Sequence, residues 1–113
     1  MRGLTVRWSL AEAPDEALDE LRDYIDDVSH ARFSALAGLR FKAWRARPGE
    51  WFEGTYVFAD DAARADFQSG FAVGAADSPV SKILGRAPSL IEPCEVVAVA
   101  EGAAGFEPFS RLD

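Results

Sequence analysis

The chain has 113 residues, 49% of them apolar, and a formal net charge of −7. A chain of that length is one domain whose core needs no disulfide or metal staple. The acidic balance excludes non-specific nucleic-acid binding, which requires a basic face; the cations Arg40, Lys42, Arg45 and Arg47 read as one face of a strand.

The first pattern, Leu4-Thr5-Val6-Arg7-Trp8-Ser9-Leu10, alternates apolar and polar residues. It predicts a half-buried strand with Leu4, Val6, Trp8 and Leu10 on one face. Met1 leads into it without a signal-peptide pattern, and no apolar run is long enough to span a bilayer, so the expectation is a cytoplasmic protein with no membrane partner. Pro14 breaks the strand, and a helix is expected from about Asp15, where acidic residues suit the positive end of the helix dipole. Leu18, Leu21, Tyr24, Ile25 and Val28 form its apolar stripe, and Asp19, Glu20, Asp23, Asp26 and Asp27 a solvated face. The pattern weakens near Ser29-His30, resumes through Phe33 and Leu36, and stops at Gly38.

Leu39–Ala46 and Trp51–Ala59 read as two strands rich in aromatic and β-branched residues, joined at Arg47-Pro48-Gly49-Glu50. With Pro48-Gly49 as a two-residue turn, Phe41 lies opposite Tyr56 and Ala43 opposite Gly54. Leu39, Phe41 and Ala43 then share a face with Gly54, Tyr56 and Phe58. Arg40, Lys42 and Trp44 share the other with Glu53, Thr55 and Val57, which makes Lys42 and Glu53 diagonal neighbours.

Asp60-Asp61 caps a second helix through Gln68, with Phe67 and Phe71 facing inward, and Gly70 and Gly74 loosen the segment after it. Ser78-Pro79 and Gly85 bracket a short helix at Pro79–Leu84. The last strand is expected at Glu95–Glu101, where Val96 to Ala100 form an apolar run that suggests burial on both faces. Cys94, the only cysteine, allows no intramolecular disulfide or thiolate cluster and beside that run reads as a buried, inert thiol. Residues 1–102 form the domain, and 103–113 a tail with Phe106 and Phe109 but no periodicity.

Strand, helix, strand, strand, helix, strand is the split βαβ order of an α+β, ferredoxin-like fold: a four-stranded antiparallel sheet with the helices on one face. The other face is left bare, and burying it against a second copy makes a homodimer the expected partner.

At the hairpin the residues Gly38-Leu39, Lys42 and Trp44, then Gly54, Tyr56 and Phe58, spell G-L-x-x-K-x-W … G-x-Y-x-F. With Gly85-x-x-Pro88 and the Val-rich segment after it, the chain from about 4 to 101 resembles the YdhR-like mono-oxygenases of the dimeric α+β barrel superfamily. The resemblance implies a homodimer of ferredoxin-like subunits. Some relatives oxidise aromatic polyketides without metal or flavin, others bind haem, and many have no established activity. His30, the only histidine, matches no haem-ligand motif of the haem-degrading branch.

One histidine, with no H-x-x-x-H or C-x-x-C spacing, leaves only carboxylates for a metal, so no metal site is expected. No serine has nucleophile-elbow glycines around it, and no Gly-rich phosphate loop follows a strand, so no nucleotide cofactor is expected either. The surviving option is an aromatic pocket for a hydrophobic small-molecule ligand, lined by Phe41, Tyr56 and Phe58 from the hairpin, Tyr24, Val28 and Phe33 from the first helix, and Phe67 and Phe71 from the second. Gly54 either leaves room there for a flat ligand or accommodates a helix side chain. Trp44 stacks on the ligand or fills the dimer interface, and Arg86 stands at the pocket mouth or on the surface. Tyr56 and His30 are the candidate catalytic groups: Tyr56 to orient a phenol, His30 as an acid or base, the latter against a role capping helix carbonyls. The leading expectation is a cofactor-independent mono-oxygenase on an aromatic substrate; the alternatives are a non-catalytic ligand-binding homodimer and an isomerase or cyclase on the same fold.

Overall fold

The structure is a computed structural model and describes residues 1–110. In chain order the elements are β1 (Arg2–Ser9), α1 (Ala17–Tyr24), a π-helical turn (Ile25–Ser29), α2 (His30–Ser34), β2 (Leu39–Arg47), β3 (Trp51–Phe58), α3 (Asp61–Val73), a 3-10 turn (Ala75–Asp77), α4 (Pro79–Leu84) and β4 (Leu90–Glu95). The strands form one sheet in the order β2-β3-β1-β4, with all neighbours antiparallel. This is the ferredoxin-like arrangement that the strand–helix order implies.

The alternation in β1 does what its period requires: Leu4, Val6, Trp8 and Leu10 are buried against Ala17, Leu21, Ile25 and Phe33 of the first helical arm and Leu84 of α4. The caps read from the sequence are also present. Asp60 accepts a hydrogen bond from the Ala63 amide at 2.9 Å, Ser78 caps α4 with Pro79 in its first turn, and Gly85 closes it in the left-handed region. α3 is longer than expected, running through Gly70 and ending only at Gly74.

Four features depart from the expectations. The first is the hairpin register. The loop holds three residues, Pro48, Gly49 and Glu50, and pairing begins at Arg47 opposite Trp51. Gly49 sits at φ +77°, as a glycine-containing three-residue hairpin loop demands. One extra loop residue moves every partner by one: Lys42 lies opposite Tyr56, and Trp44 opposite Gly54. Lys42 and Trp44 therefore face the helices, while Phe41 and Ala43 face away. A bulge between Leu39 and Phe41 resets the phase, so Leu39 still pairs with Phe58 on the inner side. Glu53 is no neighbour of Lys42; it lies on the opposite face, bound by Arg7 and Arg45.

The second is the first helical arm. The π turn inserts one residue into the helical phase. Ile25 and Ser29 consequently turn inward and Val28 is 48% exposed, so Val28 is not a pocket residue. The third is the last strand. β4 is Leu90–Glu95, and the valine run expected to be the strand lies beyond it, with Val97 at 92% exposure. Arg2 pairs with Glu95 and the Val96 amide reaches the Met1 carbonyl, where the β1–β4 ladder ends. Cys94, on this edge strand, is exposed rather than buried.

The fourth is the open sheet face. It is polar at its centre: Glu53 is 2% exposed, and Arg7 holds it at 2.6 and 2.8 Å. Arg45 and Thr55 grip its other oxygen, and both arginines lie over the Trp51 ring. The exposed large apolar side chains are instead concentrated after β4, at Val97 and Val99 and at Phe106 and Phe109 of the tail. Of that tail, residues 111–113 lie outside the described residues. Among the described residues no helix is long and apolar enough to cross a membrane.

Candidate functional site

Between the sheet and the helices lies a cleft of ≈ 200 Å³. β2 and β3 supply Lys42, Trp44, Gly54 and Tyr56, the first helical arm Tyr24, Arg32 and Phe33, and the far wall is Phe71 with Ser78. Its volume falls below the ~300–1,000 Å³ usual for drug-sized ligands, so it suits a single-ring molecule.

Lys42 is the centre of this cleft. Its Nζ stands 3.5 Å from the Phe33 ring centroid, 4.4 Å from that of Tyr56 and 4.5 Å from that of Trp44. Among the described residues the amine makes no hydrogen bond and no ion pair, and no aspartate or glutamate lines the cleft. Yet no fully buried side-chain nitrogen or oxygen lacks a partner among the described residues. An unpaired Nζ must therefore keep contact with solvent, and Lys42 lines both this cleft and a wider groove between β2 and residues 106–110. Burial holds its pKa well below that of an ordinary lysine, and the Arg32 guanidinium pushes it further down.

Gly54 allows this convergence. A Cβ there would stand 3.1 Å from Lys42 Cε, 3.0 Å from Tyr56 Cε1 and 3.3 Å from the Tyr56 hydroxyl, so both side chains cross the space that any larger residue would take. Tyr56 is 3% exposed. Burial raises its phenol pKa above the usual value, with Arg32 opposing, so the hydroxyl keeps its proton at neutral pH. It too makes no hydrogen bond among the described residues, and it is free to donate one into the cleft. Behind it, Phe58 stacks at 6.0 Å and Phe67 packs at a tilt at 5.0 Å, which fixes the ring. At the back, Trp8 Nε1 donates to Ser81 Oγ at 2.9 Å and Ser81 Oγ to the Ala75 carbonyl at 2.6 Å, tying β1 to α4.

Of the residues singled out from sequence, Tyr24, Phe33, Trp44, Gly54, Tyr56 and Phe71 come together in the cleft. Phe58 and Phe67 support it from behind. Phe41 does not line it, because the register turns it to the other face; it borders a wider groove of ≈ 1030 Å³ between β2 and tail residues 106–110. His30 lines that groove together with Phe33, Lys42 and Trp44, stacks on Trp44 at 5.9 Å, and is not among the residues of the smaller cleft. Arg86 is bound to Glu12 at 3.2 Å and is not at the mouth. Lys42 and Arg32 were missed as site residues. The signal for Lys42 was its spacing from Trp44, two positions along one strand and hence on the same face. No group of three or more His, Cys, Asp or Glu converges as a metal site among the described residues.

No protein-family model matches the chain, and no curated protein does. Among solved structures it is similar to the NE2512 protein of unknown function from Nitrosomonas europaea, at TM-score 0.64 and 23% identity over 90% of this chain and 94% of that one. The likeness is one of fold.

Proposed function

We propose that the chain is a small-molecule enzyme of the cofactor-independent mono-oxygenase type, acting on a single-ring, acidic aromatic substrate. The observation that carries this reading is the Lys42 amine, unpaired among the described residues and set among the rings of Phe33, Trp44 and Tyr56 at one wall of the cleft. An amine whose pKa is lowered by burial gives up its proton more readily than an ordinary lysine and can serve as a base. It takes the proton of a phenolic or enolic O–H, and the electron-rich anion reacts with dioxygen itself: one oxygen atom enters the ring, the other leaves as water, and the substrate supplies all four electrons in becoming a quinone. Tyr56 donates a hydrogen bond to the anion, Arg32 adds positive potential, and the aromatic walls orient the ring and limit water. His30, the acid or base expected from sequence, is placed in the wider groove and has no part in this step.

The expected result is oxygen uptake with simple phenols by the native chain, lost in Lys42→Met and weakened in Tyr56→Phe. Phenol binding in calorimetry with neither uptake nor product would replace catalysis by ligand capture. One observation favours that second reading: three ring faces around Nζ also suit a retained ammonium, which would hold an anion without chemistry. Product without oxygen uptake would point to an isomerase or cyclase using the same base. The homodimer belongs to the same proposal. Its support is the apolar segment after β4, with Val97, Val99, Phe106 and Phe109 all more than half exposed in the single chain.

A further inference from the structure

We infer that Lys42 is also a nucleophile, forming a reversible imine with aromatic aldehydes that enter the cleft. The inference rests on the same cleft but not on oxygen chemistry. Four geometric facts carry it. The amine has no hydrogen bond or ion pair to give up among the described residues. It is not sealed in, since every fully buried side-chain nitrogen or oxygen among the described residues has a partner. The walls around it are ring faces of Phe33, Trp44 and Tyr56, which stack well on another ring. Among the described residues no carboxylate lines the cleft, where Arg32 is a second cation; Glu107 lines only the wider groove that Lys42 also borders.

The chemistry needs nothing beyond amine, carbonyl and water. The Nζ lone pair attacks the carbonyl carbon, a C–N bond forms, and the C=O π pair moves to oxygen, which accepts a proton. Nitrogen loses a proton and the carbinolamine is neutral. The oxygen is then protonated again, the nitrogen lone pair forms the C=N bond as the C–O bond breaks and water leaves, and loss of the N–H proton from the iminium gives the neutral imine. One water is released, no atom changes net oxidation state, and hydrolysis reverses every step. Tyr56, which keeps its proton at neutral pH, is the cleft hydroxyl placed to hydrogen-bond the carbonyl oxygen as it gains charge.

The chain carries its own control, since its two lysines are Lys42 and the exposed Lys82. Native protein is incubated at pH 7 with benzaldehyde and sodium cyanoborohydride, which reduces an imine to a stable benzylamine, and the labelled position is mapped by peptide mass spectrometry. Stacking of the aldehyde ring on the walls around Nζ and the desolvated amine both favour Lys42, so labelling of Lys42 is expected to exceed that of the exposed Lys82. The Met1 α-amine is mapped separately. In urea the preference should vanish, and with propanal, which has no ring to stack, the Lys42-to-Lys82 ratio should fall. Equal or weaker labelling of Lys42 in the folded chain overturns the inference, as does a preference that survives unfolding or is the same with both aldehydes. Oxygen uptake with phenols is scored independently, so loss of the imine and loss of the mono-oxygenase reading are separate results.

Discussion

Lys42 and Glu53 are charged residues on adjacent strands with opposite electrostatic fates. Glu53 loses hydration on burial, which alone would raise its pKa. Hydrogen bonds from Arg45, Arg7 and Thr55, with the Arg45 charge, outweigh that and lower it. A carboxylate with a lowered folded pKa contributes stability that is present above its unfolded value of about 4.3 and lost as pH falls through the folded value. Glu53→Gln is therefore expected to cost about 1–3 kcal/mol at pH 7, the range for hydrogen bonds to a buried charge. The gap to the native chain should close in acid below about pH 4. Urea denaturation at stepped pH reads both, and a gap that stays constant into acid would remove the ion cluster from the explanation. Lys42 has no such partners. Its folded form binds fewer protons than its unfolded form between the lowered value and about pH 10.4, so stability should rise with pH across that window. Lys42→Met, close in volume, is expected to be more stable than the native chain at pH 7 and to match it once pH passes about 10.4. Identical pH profiles for the two would mean that the amine is not desolvated.

At the scale of elements, the β2–β3 loop decides which side chains meet the helices. Pro-Gly marks a turn in the sequence, but residue identities alone do not distinguish a two-residue loop from a three-residue one. The difference inverts the inner and outer faces of β2. A designed swap tests this: replacing Pro48-Gly49-Glu50 by Asn-Gly favours the two-residue loop. That loop would turn Lys42 and Trp44 away from the helices and bring Phe41 in. The expected outcome is a loss of several kcal/mol, since the strand must flip its whole inner face or strain the turn. Unchanged stability and unchanged Trp fluorescence would argue that the register is set elsewhere. The π turn acts on helix phase as the loop does on strand phase: one added residue puts Ser29, not Val28, against the core.

For the whole molecule, the core cluster draws on β1, β2, β3, the helices and Ile91 of β4, and no described residue after Ile91 belongs to it. The tail is held elsewhere, by Ser110 Oγ donating to Asp26 at 2.6 Å. A chain ending at Glu101 should therefore keep its circular dichroism and unfold cooperatively. If the exposed valines and phenylalanines after β4 serve assembly, light scattering should give twice the chain mass for the full chain and a lower average mass for the truncated one. A monomeric full chain over a wide concentration range would end the dimer proposal. A truncated chain that stays fully dimeric would move the interface to the polar sheet face around Arg7, Glu53 and Arg45.

The features that the sequence determined by itself are local in origin. The period of β1 put Leu4, Val6, Trp8 and Leu10 inside, Asp60 and Ser78 capped their helices, Gly85 stopped one, and the order of elements led to the ferredoxin-like sheet. Each depends on neighbours a few residues apart, so side-chain shape and backbone preference suffice. The sequence named part of the cleft, Tyr24, Phe33, Trp44, Gly54, Tyr56 and Phe71, but put Trp44 on the wrong face and missed Lys42 and Arg32. The features that only the tertiary structure decided depend on counting residues against a distant partner. Loop length set the face of Lys42 and Phe41, and the π turn set the face of Val28. The end of β1 at Arg2 fixed where β4 stops, so an apolar run that reads as a buried strand lies outside the sheet. A hydrogen-bonded strand needs a neighbour of matching extent, and the position of that neighbour is not written in the run itself.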